Sequence, residues 1–434
     1  MSDRSYQRPR TLSPLREHLR DTFWFAPSAG LGLAVVLWVA SSELDTRIVA
    51  YLQDQQDYEA VSDLISIADD LKTIVTTISS AMMTFIGVVF SISLVAVQMA
   101  SGNLTPRVVR IFVRSRISKA TLTVFLATFL FSLLVLTSYE SEADPRRVTS
   151  VPVVQSLLTM ALVGLSLLLF IAYVSQTLRL MQVGPVVDRI ARESLRVLVR
   201  QPAGERDPVP LAREGRWIAH QGRAGVLRDV NVARLVRAAR KQGVVLRLIP
   251  RIGDYVVPGT PMLSVHGEGE PLRRTLAYTV SVGVERTFHQ DPGLGLRQLS
   301  DIALRALSPA VNDPTTAVQC LDRIVQLLTV VARKPLGEVH HRDGQGAVRL
   351  VQDVPGWTDL VDLALAEIRV FAVGSPQVTR RLVAGIDDLL LLVPEERREP
   401  LVRHRALLVQ AVERAVPEAA EREFALLPDR QGIG

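Results

Sequence analysis

A single cysteine, Cys320, occurs among the 434 residues of the sequence. One thiol excludes an intramolecular disulfide and any metal site built from several cysteines. Because Cys320 stands in an apolar helical pattern, we expect it to be a buried small side chain. Aromatic residues make up only 5% of the chain, and no basic stripe is interleaved with them. The net charge of +6 therefore does not indicate nucleic-acid binding.

The short motifs of common catalytic and nucleotide-binding sites are also missing from the sequence. There is no HExxH, no GxSxG, no Walker loop, and no dinucleotide-binding glycine pattern in a strand–helix context. His340 and His341 are adjacent before a predicted hairpin turn, DGQG, and neighbours on a strand point to opposite faces. They are therefore poorly placed to chelate one metal ion together. We expect no enzyme activity, no cofactor and no metal site.

Hydrophobic residues, by contrast, make up 48% of the chain, and the mean hydropathy is +0.23. They are concentrated in a predicted transmembrane domain at residues 1–182. A spanning helix needs about 20 apolar residues. Four segments qualify as predicted spans: Phe23–Ala40, Ile74–Met99, Ala120–Tyr139 and Val151–Leu178. A cleaved signal peptide is the other interpretation of the first segment, but its long polar lead and the lack of a small-residue cleavage site favour a retained span.

The charges between these segments indicate one orientation. Arginines precede the first span and follow the second and the fourth, whereas the loop after the first span is acidic. Because loops rich in lysine and arginine stay in the cytoplasm, we expect a multi-pass bacterial inner-membrane (plasma-membrane) protein with both termini in the cytoplasm.

The basic loop after the second span has two interpretations. Its side chains are candidates for binding the headgroups of anionic lipids in the bilayer. Retention on the cytoplasmic side explains the same charges without any binding function. The residues concerned are Arg107, Arg110, Arg114 and Arg116.

The second span is free of charged residues from Thr73 to Met99 and carries small polar residues at helical spacing. These residues share one face, because they recur at steps of three or four. They are Thr73, Thr77, Ser80, Thr84, Gly87 and Ser91, with Gln98 beyond a break at Val95. We call them the polar stripe. The stripe suits either close helix packing or a weakly selective pore shared between copies of the chain.

The cytoplasmic part is predicted to have an α+β fold. A connecting helix and linker occupy residues 183–215, a small β-rich module residues 216–270, and a mainly α-helical domain residues 271–434. The pattern VVLRLIPRIGDYVVPGTPMLSV resembles the barrel-sandwich hybrid scaffold of biotinyl and lipoyl domains. That resemblance implies the scaffold alone, since the module has no lysine in a hairpin turn to attach a cofactor.

SPAVNDPTTA is the most distinctive segment of the cytoplasmic part. Asp313 and Pro314 have the pattern of an N-cap and first helical residue. One interpretation is an anion or ligand site at the helix start, with Asn312, Thr315 and Thr316 as donors near Asp313. The other is a structural cap, in which the Asp313 carboxylate already occupies those amides.

Three long motifs relate the chain to a known family. They are MTFIGVVFSISLVAVQMASGNLTPRVV, GDYVVPGTP and DPGLGLRQLSDIALRALSPAVNDPTTA. In these motifs and in its four-span arrangement the chain resembles the predicted bacterial integral membrane proteins called domain of unknown function 2254. The resemblance implies an architecture and supplies no chemistry.

Two functions are compatible with these patterns. The first is a homo-oligomeric ion channel or pore with a cytoplasmic regulatory domain, in which the stripe lines the pore. The second is a membrane-anchored sensor or scaffold whose cytoplasmic domain binds a partner or a small ligand without conduction. Uncharged second, third and fourth spans disfavour a proton relay or a voltage sensor.

Overall fold

A computed structural model describes residues 25–103, 116–139, 144–205, 209, 211, 215–269 and 279–432. The chain divides into two compact units, whose described parts lie within residues 25–182 and 183–432. The first unit consists of apolar helices, and the second combines helices with two sheets.

The described residues of the first unit form four helices. They are α1 (Phe25–Asp54), α2 (Tyr58–Asn103), α3 (Arg116–Thr137) and α4 (Val153–Met181). The first two are longer than the predicted spans, because the acidic segment between those spans continues both helices up to a short turn. With 46 residues and a rise of about 1.5 Å each, α2 is about twice as long as the hydrocarbon core is thick.

Helix α3 contacts the other three helices and is the centre of this unit. Apolar side chains fill the spaces on both sides of it, including Val75 and Met82 from α2 and Phe125 and Phe131 from α3. The rings of Phe85, Phe125 and Phe170 meet pairwise, with centroids 6.0 to 6.4 Å apart. Such tilted aromatic contacts are favourable beyond the area they bury.

A smaller apolar core holds together the acidic end of the unit. It consists of Val49 on α1, Val61 and Ala68 on α2, and Val148 and Val151 before α4. The Gln53 amide donates to the carbonyl oxygens of Pro145 and Val148, each at 3.0 Å. The segment leading into α4 is thereby fastened to α1.

The strands described in the second unit form two sheets. The strands are β1 (Arg216–Ala219), β2 (Gly225–Val230), β3 (Val245–Leu248), β4 (Tyr255–Val256), β5 (Pro261–His266), β6 (Val280–Gly283), β7 (Val339–Arg342) and β8 (Val348–Gln352). One sheet has the order β1-β5-β3-β8-β7, and the other has the order β4-β2-β6. Strands β3 and β8 are parallel, whereas all other neighbours are antiparallel.

These sheets share one apolar core with helix α6 (Val232–Lys241), to which Leu227, Leu235, Leu246, Leu263 and Leu350 contribute. The β7–β8 hairpin joins this core from a distant part of the chain, since Leu246 pairs with Leu350. The β-rich part therefore draws strands from beyond residue 270. The described strands confirm a mixed helix and sheet region.

The remaining helices form a bundle. They are α5 (Val183–Arg200), α7 (Leu294–Ala306), α8 (Pro314–Ala332), α9 (Trp357–Ala372), α10 (Pro376–Leu392), α11 (Glu399–Ala415) and α12 (Ala419–Leu426), with a 3-10 turn at Glu395–Arg397. Helix α8 is long and apolar enough to cross a membrane, as are α1 to α4. It packs instead against α5, α7 and α10, and Cys320 on it is fully buried as predicted. Its apolarity is explained by this burial.

Close packing of α1 on α3 depends on Gly30. A Cβ atom at this position would lie 2.4 Å from Thr123 Cγ2 and 3.2 Å from the Thr123 carbonyl oxygen. We expect Gly30→Leu to push the helices apart and to destabilise the unit by about 1–3 kcal/mol. Thermal unfolding in detergent or nanodiscs measures the effect.

Gly32 provides the matched control on the same helix, since a Cβ there meets no atom within 4 Å. Gly32→Leu should change the unfolding temperature little. Equal destabilisation by both variants would contradict the close contact between α1 and α3.

Candidate functional site

The polar stripe lies on the outside of the first unit. All seven stripe residues are exposed: Thr73, Thr77, Ser80, Thr84, Gly87, Ser91 and Gln98. Around them on α2, Met83, Phe90 and Leu94 are also exposed, each by more than half. The stripe is therefore not packed against another described helix of the same chain.

A different face of α2 packs into the unit. Val75, Ser79, Met82, Val89 and Ala96 recur at steps of three, four or seven, and each is at most 6% exposed. These residues separate the packing face of α2 from the stripe. Packing among the described helices of one chain thus does not account for the stripe.

The stripe hydroxyls are partly satisfied by their own helix. Thr77 Oγ1 donates to the carbonyl oxygen of Thr73 at 2.9 Å, and Ser80 Oγ donates to that of Thr76 at 3.2 Å. This back-bonding lowers the cost of placing a hydroxyl group against lipid. It leaves the oxygen lone pairs free to accept from water or to bind a cation.

The interior of the unit contains a second set of polar residues, which we call the buried seam. Among the described residues, four hydroxyl pairs form this seam. Ser79–Ser132 at 2.8 Å joins α2 to α3, Thr128–Ser166 at 3.2 Å joins α3 to α4, and Ser93–Tyr173 at 2.6 Å joins α2 to α4. Tyr139, two residues after α3, pairs with Ser156 of α4 at 2.7 Å. Hydrogen bonds of this kind stabilise helix contacts in membranes.

The sequence interpretation missed this seam and singled out the exposed face instead. A signal was present, because Thr159, Ser166 and Tyr173 recur at intervals of seven residues on α4. The spacing places them on one face, yet it does not tell a packing face from a pore face. Only the contacts of the folded unit make that distinction.

Two small cavities adjoin these faces. One of about 50 Å³ lies beside Ser166, between Met82, Phe85 and Phe125. The other, of about 230 Å³, is a nearly apolar groove lined by Ser91 and Val95 of α2 and by Val174 and Leu178 of α4. Ser91 therefore places one end of the stripe at the edge of a groove.

Asp45 is a buried carboxylate that caps a helix of which it is not a part. Its two oxygen atoms accept hydrogen bonds from the backbone N–H groups of Val154 at 2.9 Å and Gln155 at 3.2 Å. Pro152, at the N-cap of α4, provides no side-chain cap of its own. Asp45 supplies the missing acceptor, and its negative charge lies at the positive end of the helix dipole.

Three of the four predicted lipid-binding arginines lie in the basic loop before α3. Arg107, Arg110 and Arg114 lie outside the described residues. Arg116 is the first residue of α3. Their interaction with anionic lipids stays a prediction.

The SPAVNDPTTA segment forms the start of α8 with the geometry of a structural cap. Asp313 Oδ1 accepts from the backbone N–H of Thr316 at 3.0 Å, and Asp313 Oδ2 accepts from Thr316 Oγ1 at 2.6 Å. Asn312, in the left-handed region with φ of 47°, is exposed, as is Thr315. The carboxylate occupies the donors that an anion would need, which favours the structural interpretation.

The two adjacent histidines lie on β7, in the hairpin that DGQG predicts. His340 Nδ1 lies 2.8 Å from Glu205 Oε2, while His341 Nε2 lies 3.3 Å from Gln352 Oε1. Burial lowers the pKa of His341. Among the described residues, no group of three or more histidine, cysteine, aspartate or glutamate side chains is arranged to hold a metal ion.

Long apolar helices with paired interior hydroxyls define a membrane protein with several candidate spans. The chain belongs to the family described as predicted membrane proteins, domain of unknown function 2254, whose family model matches residues 20–388. Uncharacterized proteins of Mycobacterium tuberculosis and Mycobacterium bovis are each 26% identical to it in an alignment 439 positions long, which covers 95% of this chain and 79% of theirs. No solved structure matches the chain.

The Asp45 cap provides a test of how the acidic end of the unit is built. We expect Asp45→Ala to destabilise the four-helix unit by about 1–2 kcal/mol, because the first amides of α4 lose their acceptor in a buried place. The measurement is thermal or denaturant unfolding in detergent.

Glu43→Ala is the control, because Glu43 is on the same helix but exposed, where it pairs with Arg47 at 3.0 Å. That variant should unfold within about 0.5 kcal/mol of the wild type. If the two variants were equally stable, Asp45 would not be a significant cap.

Proposed function

We propose that this protein is a homo-oligomeric ion channel or pore of the bacterial inner membrane, with four spans formed by α1 to α4. Both termini and the second unit lie in the cytoplasm, and no enzymatic step is involved. The observation that carries the proposal is the exposure of the whole polar stripe on the part of α2 that has no charged residue, Thr73 to Met99.

The interior of the first unit of one chain has little room for an ion path. Hydroxyl pairs and apolar side chains close the space between α2, α3 and α4, and the cavity beside Ser166 has a volume of only about 50 Å³. A path along the stripe therefore requires several copies of the chain, arranged so that their α2 helices face a common axis.

The charges at the acidic end favour cations. Residues 41–72 contain eight acidic and two basic side chains, and one acidic member, Glu43, is paired with Arg47. Such an excess raises the local concentration of cations near a pore mouth. The uncharged stripe then provides hydroxyl oxygens and no fixed charge, which is compatible with weak selectivity.

A regulatory role for the second unit follows from its connection to the spans. Only Gln182 separates the end of α4 from the start of α5 in the sequence, and α5 packs on α7 and α8. A change in that bundle therefore has a direct covalent route to α4. Binding of a ligand or partner to the second unit is part of this proposal.

The second candidate is a membrane-anchored sensor or scaffold that conducts nothing. The back-bonding of Thr77 and Ser80 favours it, because those hydroxyls do not need water. In this case the stripe faces lipid or a second copy of the chain, and the second unit alone binds a partner or small ligand.

Ion flux through purified protein in liposomes distinguishes the two candidates. We expect the wild type to pass monovalent cations, and Thr84→Trp to reduce the flux at least about tenfold, because an indole group in the middle of the stripe fills a narrow pore. Leu168→Trp is the matched control, since Leu168 is 67% exposed on α4 and lies outside the stripe.

Equal loss of flux in both tryptophan variants would mean that the stripe does not line the pore. No flux from the wild type under any voltage, membrane tension or pH would exclude the channel and favour the sensor. Blue native electrophoresis or light scattering in detergent checks the oligomer, and a monomer would contradict the shared pore.

A further inference from the structure

Gln155 is the third residue of α4 and is fully buried inside the first unit, with 0% of its surface exposed. Neither the nitrogen nor the oxygen of its carboxamide has a hydrogen-bond partner within the described part of the chain. A carboxamide has two donors and an acceptor with two lone pairs. Burying these groups without partners costs free energy, so such groups are almost always satisfied by protein or water.

The polar groups next to Gln155 in the sequence and on Asp45 are already engaged. Ser156 pairs with Tyr139 at 2.7 Å, and Thr159 Oγ1 donates to the backbone oxygen of Gln155 at 2.9 Å. The Asp45 carboxylate accepts from the first amides of α4. These polar groups lie at the first turn of α4, at the acidic end of the buried seam. None of them forms a hydrogen bond with the Gln155 carboxamide.

The charges of this place favour a neutral ligand. An anion would meet the Asp45 carboxylate, which lies against the backbone of Gln155 itself. A cation would have to compete with the backbone amides of Val154 and Gln155, which already occupy both oxygen atoms of that carboxylate. A small uncharged molecule that both donates and accepts hydrogen bonds matches the carboxamide without that repulsion or that competition.

We propose that Gln155 marks a buried water site inside the four-helix unit, at the end of the seam that continues through Thr159 to Ser166. The water donates to Gln155 Oε1 and accepts from Gln155 Nε2. Enclosed waters with two to four partners of this kind are structural parts of folded proteins. The site depends on the packing of α1 to α4 and not on whether the protein conducts ions.

The sign of a stability change tests the proposal. Gln155→Met keeps the length of the side chain and removes its hydrogen-bonding groups. If the amide binds water, the water loses partners, and the unfolding temperature of the full chain falls by about 2–4 °C. If the amide is dry and unpaired, the same change removes a desolvation penalty, and the unfolding temperature rises. Gln410→Met, on an exposed position of α11, is the control for the substitution and should have no effect.

A measurement on the wild type keeps the test valid if the variant does not fold. With side-chain nitrogen labelling of glutamine, the Gln155 amide protons of the wild type should show magnetisation transfer from a long-lived water. An amide signal without contact to water would overturn the proposal.

The choice of salt separates water from an ion. Unfolding of the wild type in sodium, potassium and choline chloride at one ionic strength should give the same temperature. Stabilisation by sodium or potassium over choline that disappears in Gln155→Met would identify a cation site and would also overturn the water site.

Discussion

The bilayer core provides no water to satisfy polar groups, and this constraint determines how the first unit is built. Helix α3 has the central position, and its serine and threonine side chains pair with α2 and α4 across the interior. Asp45 meets the same requirement at the acidic end, where it accepts from amides that open α4. The hydroxyl pairs and the Asp45 cap thus keep these polar groups of the unit paired.

The lack of water in the bilayer core also bears on the exposed polar stripe. The hydroxyls of α2 that face the interior, Ser79 and Ser93, already have partners there, so packing among the described helices does not require a second polar face. The exposed residues Thr84 and Ser91 therefore face surroundings outside the described unit, which are another copy of the chain, a shared pore or lipid. Because the hydroxyls of Thr77 and Ser80 donate to their own helix, the cost of exposing this face to lipid is small. These hydrogen bonds do not by themselves give the face a function in lipid.

The second unit shows why apolar content alone does not identify a span. Helix α8 is as apolar as a spanning helix must be, yet it is surrounded by α5, α7 and α10, and its start is capped by Asp313. Similarly, the β-rich part is not confined to one stretch of sequence. Strand β8 pairs in parallel with β3, from which it is separated by about a hundred residues in the sequence. No local sequence pattern predicts this contact.

The sequence by itself determined the apolar helices of the first unit, the capped start of α8, the hairpin after His341 and the family, because periodicity, caps and long motifs are local properties of the chain. The extension of α1 and α2 through the acidic segment, the pairing of distant strands and the division of α2 into packing and exposed faces were decided by tertiary structure. Spacing reveals that Ser79 and Ser80 lie on different faces of a helix. Only the neighbours of that helix decide that Ser79 is buried against Ser132 and Ser80 is exposed.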